Sequence, residues 1–365
     1  MQKEKSFHKP HHKLLLTPGP VAVPDFVLEA IAQPVIPHRS EAFYSFYGQL
    51  LEDLKYLFQT QQYTCCMVGT GTQAVEAGMY SLFHPGDRVV IPSMGKFSQR
   101  WVEYGKILDI EVEEIPVEWG RGLPIEVLES KLKQIPQCAG VILTHCETST
   151  GVGIDLETKA SLIRQLHPDA LILVDSITSV GVIPFYFDAW GIDCAVVASQ
   201  KALMNPAGVC AFAVSDRAYQ KMPKTPLADS RNLRNYLDSA VSRSYPYTAP
   251  CQLLYGIQAA LTHIRNTSLP QIWNRTHLLA QQFRNGLIQM GGEIFSENPA
   301  DSLTAFGLPI HSMTEAKDVL EEKYGIVVSG GQGHLKGEIL RVSHMGLTSR
   351  DDMYALLEAL PFHSF

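Results

Sequence analysis

Between residues 63 and 214 the chain repeats short apolar runs, most of which do not alternate with polar positions. The runs are Tyr63–Val68, Arg88–Pro92, Glu111–Pro116, Gly140–Thr144, Ala170–Val174, Ala195–Ser199 and Val209–Val214. A strand apolar on both sides must be covered on both sides, which a largely parallel sheet achieves with helices on each face. The intervening segments fit that arrangement. Thr72–Phe83, Phe97–Leu108, Ile125–Gln134 and Leu156–Leu166 read as helices. Ahead of the first run, Phe43, Phe46, Tyr47, Leu50, Leu51, Leu54, Leu57 and Phe58 recur at helical spacing, predicting a long amphipathic helix. The fold class expected is α/β.

The rhythm changes near Tyr245. Two long helices follow, over Cys251–Arg265 and Leu269–Met290. A βαβ-like tail comes next, with strands at Ala305–Pro309, Ile326–Val328 and Ile339–Val342 and helices at Ala316–Lys323 and Asp351–Leu360. The expected organisation is an N-terminal arm (1–20), a large domain (21–260) with the mostly parallel sheet, and a smaller C-terminal α+β domain (261–365). The chain carries no internal repeat and no low-complexity segment.

Composition narrows the function. With 45% hydrophobic and 18% charged residues, the chain can bury a large core, which excludes wholesale disorder. A mild net charge of −7, without charge blocks, argues against nucleic acid as a partner. No apolar run approaches the ~20 residues that span a bilayer. The polar start MQKEKSFHKPHHK and the short LLL after it do not read as a signal peptide, and His363-Ser364-Phe365 is not a peroxisomal address. Seven cysteines, among them Cys66, Cys194 and Cys210, lie in apolar stretches and read as buried thiols of a reducing compartment. The expected location is the cytoplasm.

Two isolated charges carry the chemistry. From Cys194 to Val214 the only charged side chain is Lys201, and from Ala170 to Phe187 it is Asp175. Each stands at or just past the C-terminal end of an apolar strand, the edge where open α/β sheets bind ligands. A lone lysine can snorkel to solvent and a lone aspartate can cap a turn. Together they suggest a lysine that forms a Schiff base with pyridoxal phosphate (PLP), and a carboxylate that keeps the pyridine nitrogen protonated. A phosphate cradle is available at Gly69-Thr70-Gly71-Thr72, a glycine turn that opens a helix.

With these elements in register, the chain resembles the class V (fold type I) PLP-dependent aminotransferases, in the alanine–glyoxylate/serine–pyruvate aminotransferase branch. The resemblance runs from LLLTPGPVAVPDFVLEA through HRSEAF, VGTGTQAVEAG, GKFSQRW, THCETSTGV, LILVDSITSVG, ASQKALMNPAG and YPYT to VVSGGQGHLKGEILRVSHMG. It implies that Lys201 carries the internal aldimine and that Asp175 contacts the pyridine nitrogen. Thr70, Gly71, Thr72 and Gln200 would surround the phosphate, with Tyr245 and Thr248 reaching it from the neighbouring subunit of a homodimer. Thr148 would lie near the ring hydroxyl. Phe97 takes the ring-stacking position, where close relatives often carry tryptophan; a phenyl face also stacks. Arg341 would grip the substrate carboxylate through its guanidinium fork, and Gly19 would let backbone approach the substrate.

The activity implied is ping-pong transamination between a small amino acid, alanine or serine, and a small 2-oxo acid, glyoxylate or pyruvate. Sister groups that accept aminoethylphosphonate or aspartate are alternatives. A desulfurase or lyase is another, although Gln200 stands where desulfurases place histidine and the last cysteine is Cys251. A non-catalytic scaffold of the same fold is a third. His8, His11 and His12 sit in a polar tail, and no Cys or His pair has zinc spacing with a matching second pair. His145 reads as a buried structural histidine at least as readily as a catalytic one, and Met204 and Met345 read as packing.

Overall fold

The seven apolar runs become the seven strands of one sheet, in a computed structural model that describes residues 13–360. His8, His11, His12 and the C-terminal His363-Ser364-Phe365 lie outside the described residues. In chain order the strands are β1 (Tyr63–Gly69), β2 (Arg88–Ser93), β3 (Glu111–Pro116), β4 (Gly140–Thr144), β5 (Leu171–Asp175), β6 (Cys194–Ala198) and β7 (Gly208–Val214). Across the sheet they run β1-β7-β6-β5-β4-β2-β3. Strands β2 to β6 are parallel, and β7 is antiparallel to both of its neighbours.

Burial follows the sequence pattern. Every residue of β4, β5 and β6 is buried, as their lack of alternation demands. The edge strand β3 departs from it: Glu111, Glu113 and Glu114 line it, and charges on an edge discourage pairing with another chain. The sheet is flanked by helices. Gly71–Leu82 packs on β5 and β6, Lys96–Ile107 on β2 and β3, and Glu41–Phe58 on β1 and β7.

A second, four-stranded antiparallel sheet orders Glu293–Ile294, Leu303–Gly307, Leu340–Ser343 and Ser329–Gly330. Helices Leu269–Gln289, Met313–Tyr324 and Arg350–Ala359 share its core through Leu279, Phe283, Leu320 and Leu356. Leu14–Leu15 pairs in parallel with Ile326–Val327, and Leu16 lies in that same core, so this early segment packs with the second sheet's unit.

Three short helices escape the periodicity reading: Asp25–Ile31, Asp216–Lys221 and Leu233–Val241. The last contains Asn235, Asp238 and Ser239, weak helix formers. Tertiary contacts hold it: Leu233 N–H donates to Ser81 Oγ at 2.8 Å, and the Arg234 guanidinium lies 4.1 Å from the Tyr219 ring centroid.

At the end of the sheet where β5 begins, Asp193 is almost fully buried. Its carboxylate accepts from Arg164, from Arg217 Nη2 at 3.0 Å, from Ser215 Oγ at 2.8 Å and from Ile172 N–H at 2.8 Å. Removing it leaves the Ile172 amide without its acceptor and takes the carboxylate from two partly exposed guanidinium groups, which keep their backbone carbonyl partners. Asp193→Ala is therefore expected to lower stability by about 1–3 kcal/mol, read from the midpoint of urea denaturation.

Candidate active site

Lys201 sits in the tight connection that turns β6 back into antiparallel β7. Ser199 pins this turn: its N–H bonds Val209 O at 2.9 Å and its Oγ bonds Pro206 O at 2.7 Å. The lysine is 8% exposed, and its amine donates to the Pro18 carbonyl. Gly19 crosses directly over it with φ +113°, where a Cβ would stand 2.3 Å from the lysine Nζ. Only glycine tolerates both the backbone angle and that approach. Gly19, expected to approach the substrate, thus makes its close contact with the lysine amine.

Asp175 ends β5, next to β6. Its Oδ2 accepts the Trp101 indole N–H at 3.1 Å, and its Oδ1 accepts the Ile177 N–H at 3.2 Å. Burial pushes its carboxyl up to about 7, and the opposing pulls of the Ile177 N–H, Trp101 and Lys201 do not cancel it. Burial likewise pushes the Lys201 amine down to about 8, helped by the nearby Arg341 guanidinium and opposed by Asp175. Each charge favours the other, yet desolvation outweighs the attraction at both. The outcome is an amine that is partly a free base near neutral pH and an acid ready to share a proton with a basic ring nitrogen.

The helix Gly71–Leu82 opens beside this pair. A Cβ on Gly71 would lie 2.7 Å from Ile177 Cδ1, so the turn is packed against the segment that follows Asp175. The Thr70 N–H is already committed to Gln73 Oε1 at 2.9 Å. First-turn amides lack intrahelical partners, which leaves Gly71 and Thr72 to meet an anion. Thr72 Oγ1 accepts from Arg100 Nη1 at 2.6 Å, which brings to this turn a cation that the sequence reading missed. Gln200, the residue before the lysine, has a buried side-chain oxygen with no partner among the described residues.

Arg341 lies within the strand Leu340–Ser343 and is 6% exposed. Its guanidinium donates to Gly330 O at 3.0 and 2.9 Å and to Thr148 O at 2.8 Å. Among the described residues no carboxylate forms an ion pair with it. Burial pushes it down to about 10, against the pull of Glu147. Thr148 Oγ1 meets Thr178 Oγ1 at 3.1 Å.

Two further residues, absent from the sequence reading, join these parts. Glu147 has no exposed surface; it accepts from Ser98 N–H and Ser98 Oγ, each at 2.9 Å, and from Phe97 N–H at 3.3 Å. It therefore caps Lys96–Ile107, the helix that carries Phe97. Trp101, one turn beyond Phe97, is the residue that reaches Asp175. An isolated acid in CETSTG and a tryptophan four residues after Phe97 were the available signals.

Tyr245 and Thr248 stand apart. The Tyr245 ring packs edge-on against Tyr47 and Tyr236, with centroids 5.8 Å away in each case, and its buried hydroxyl has no partner among the described residues. Thr248 is exposed, and no hydrogen bond among the described residues links either one to Lys201 or Asp175. The two buried histidines near the site are held neutral. Burial pushes His145 down to about 4 and His344 to about 3, and the latter bonds Thr304 Oγ1 at 2.9 Å. Met204 and Met345 are buried. All seven cysteines are free and buried, with burial raising every thiol. Among the described residues no cluster suits a metal ion, and no helix is long and apolar enough to cross a membrane.

Comparison with known proteins follows the same lines. A family model described as "Aminotransferase class-V" matches residues 25–352. The chain is 33% identical to the soluble hydrogenase 42 kDa subunit of Anabaena cylindrica, over 95% of this chain and 92% of that one. It is 31% identical to the serine–glyoxylate aminotransferase of Arabidopsis thaliana, over 92% and 86%. Among solved structures, the alanine–glyoxylate aminotransferase from Nostoc sp. superposes with a TM-score of 0.88 at 32% identity, covering 95% of this chain and 94% of that one.

The electrostatics predict a distinctive lysine. In competitive acetylation of the cofactor-free protein, Lys201 should be half-titrated near pH 8, against about 10.4 for exposed lysines. Gly19→Ala, whose Cβ takes the space of the amine, should abolish that early reactivity. Peptide mass spectrometry of the labelled protein reads both.

Proposed function

The chain belongs to the class V aminotransferases and depends on pyridoxal phosphate, and from that premise we propose that it transfers the amino group of alanine or serine to glyoxylate or pyruvate. The observation that carries the reading is the buried amine of Lys201 beside the buried carboxyl of Asp175, with the Arg341 guanidinium near the amine and lacking an acidic partner. The donor set suits the cofactor: an amine for its aldehyde, an acid for its ring nitrogen and helix-terminal amides for its phosphate. When bound, the cofactor supplies an aldehyde that condenses with amines and a ring that accepts an electron pair.

The chain's own residues divide the remaining work. Lys201 would hold the cofactor at rest; once displaced by an incoming amino acid, its amine would carry the proton between the substrate Cα and the cofactor's aldehyde carbon, so that the amino group stays with the cofactor when the oxo acid leaves. The lowered proton affinity of that amine suits a base near neutral pH. Asp175 holds a proton at the ring nitrogen, and a cation placed there draws the acid back to its charged form. The amides of Gly71 and Thr72, the Thr70 and Thr72 hydroxyls and Gln200 bind the phosphate. Phe97 would pack on the ring face, and Thr148 would lie near the ring hydroxyl. Arg341 orients the substrate by its carboxylate, accepting an anion where it now has only carbonyl partners.

Substrate size rests on the same cation. Apart from Lys201 itself, Arg341 is the buried cation of this cluster, which suits a monocarboxylate better than aspartate. Similarity to enzymes named for serine, alanine and glyoxylate is consistent with that choice, although enzymes named for aspartate match as well, so the choice rests on the cation. Tyr245 and Thr248 belong to the phosphate site of the neighbouring copy in a two-fold homodimer, which gives the partnerless Tyr245 hydroxyl a role. The uniformly free thiols fit a cytoplasmic setting. They also oppose a desulfurase: Cys251 is buried at the start of the helix Cys251–Thr267, and burial raises its thiol. A relative named as a hydrogenase subunit favours a scaffold reading, but a scaffold has no need of Lys201, Asp175 and Arg341 together.

Half-reactions test the proposal. The visible absorbance of the cofactor-loaded protein should bleach with alanine or serine and return with glyoxylate or pyruvate, giving parallel lines in initial-rate plots. A protein that takes up no cofactor, or is not bleached by either amino acid, overturns it. Arg341→Ala should raise KM for the amino acid by about two orders of magnitude, the loss of a buried ion pair worth about 3 kcal/mol. The change in kcat should be smaller.

A further inference from the structure

Phe97 and Trp101 lie four residues apart on the helix Lys96–Ile107, so they share one face. Phe97 occupies the ring-stacking position assigned above, and Trp101 meets Asp175. Trp101 is 1% exposed, and its indole N–H is a donor without acceptor capacity. At 3.1 Å from Asp175 Oδ2 it fixes one carboxylate oxygen, while the Ile177 N–H at 3.2 Å fixes the other. The two donors hold the carboxylate plane from opposite elements: Ile177 from the segment after β5, and Trp101 from a helix whose start is capped by Glu147.

We propose that Trp101 is a positioning residue for Asp175: its indole N–H holds the carboxylate in place and favours its charged form. The inference rests on the assignment of Asp175 to the cofactor's ring nitrogen. Other charged and titratable groups act on the same carboxylate: Glu147 and Cys146 oppose its ionisation and Lys201 promotes it. Trp101 adds a directional contact on the promoting side. A charge-assisted hydrogen bond is among the stronger ones in a dry site, so its loss should be measurable.

The test separates shape from hydrogen bonding. At position 101 the indole is replaced by benzothiophene, which keeps the bicycle but lacks the N–H; Trp101→Phe serves as a second variant. In the cofactor-free protein, the carboxyl stretch of Asp175 is followed against pH by infrared spectroscopy with isotope-labelled aspartate, Asp175→Asn identifying the band. Both variants should titrate higher than the wild type by about one pH unit, equivalent to tenfold in proton affinity. Pyridoxal phosphate should dissociate about tenfold more readily from both. With amino acid substrates kcat should fall while KM holds, since Trp101 touches no substrate. An unchanged Asp175 titration in the benzothiophene variant overturns the proposal, even if cofactor affinity falls. Failure of the wild type to take up the cofactor would instead sink the functional reading, and the titration would still decide the role of Trp101.

Discussion

Glu147 is the interaction on which the rest of the site depends. A carboxylate without exposed surface must be satisfied by donors, and this one takes them from Phe97, Ser98 and Ser149, including Ser149 Oγ at 2.6 Å. Those contacts anchor the N-terminus of Lys96–Ile107, where the helix dipole favours a negative charge. Gly95 has no side chain because a Cβ there would stand 2.3 Å from Glu147 Cγ. From this anchor Phe97 and Trp101 take their places, and Trp101 in turn orients Asp175. The next residue after the acid, Thr148, gives its carbonyl to Arg341. Glu147 and the residue after it thus tie the helix Lys96–Ile107 to the strand of the second sheet that carries the guanidinium.

Around that anchor the electrostatics are governed by desolvation. Asp175, Lys201 and Arg341 are each nearly dry, and each is pushed toward its neutral form. In water the same three groups would be fully charged and chemically quiet at neutral pH. Mutual attraction between Asp175 and Lys201 limits the shifts without removing them. The amine stays close enough to its free form to act, and the guanidinium stays charged while facing only carbonyl oxygens. Burial here creates reactivity and an unmet demand for an anion at the same time.

Much of this was legible along the chain. The strands β1 to β7 fall within one residue of the runs read from the sequence, and for the fully buried β4, β5 and β6 the reason is that a strand covered on both faces excludes charge from either. Lys201 and Asp175 were visible because they are the sole charges in long apolar stretches. Arg341 entered through resemblance, its own surroundings being unremarkable in sequence. Glu147 and Trp101 escaped notice: an acid among small polar residues looks like a loop acid, and a tryptophan on an amphipathic helix looks like core. The helix Leu233–Val241 escaped for a related reason, since distant contacts hold its weak helix formers in place.

The sequence by itself determined which strands of the main sheet form, that helices flank them, and that a lone amine and a lone acid sit at neighbouring strand ends; these follow from local pattern and solvation. Tertiary structure alone decided what each charge faces. Glu147 caps a helix some fifty residues earlier in the chain, Gly19 lies against an amine far along it, and Trp101 bonds the acid that ends β5. Such contacts depend on three-dimensional distance, and hydrogen bonds and desolvation act only over a few ångströms. No periodicity along one chain encodes them, so they exist only once the sheet is assembled.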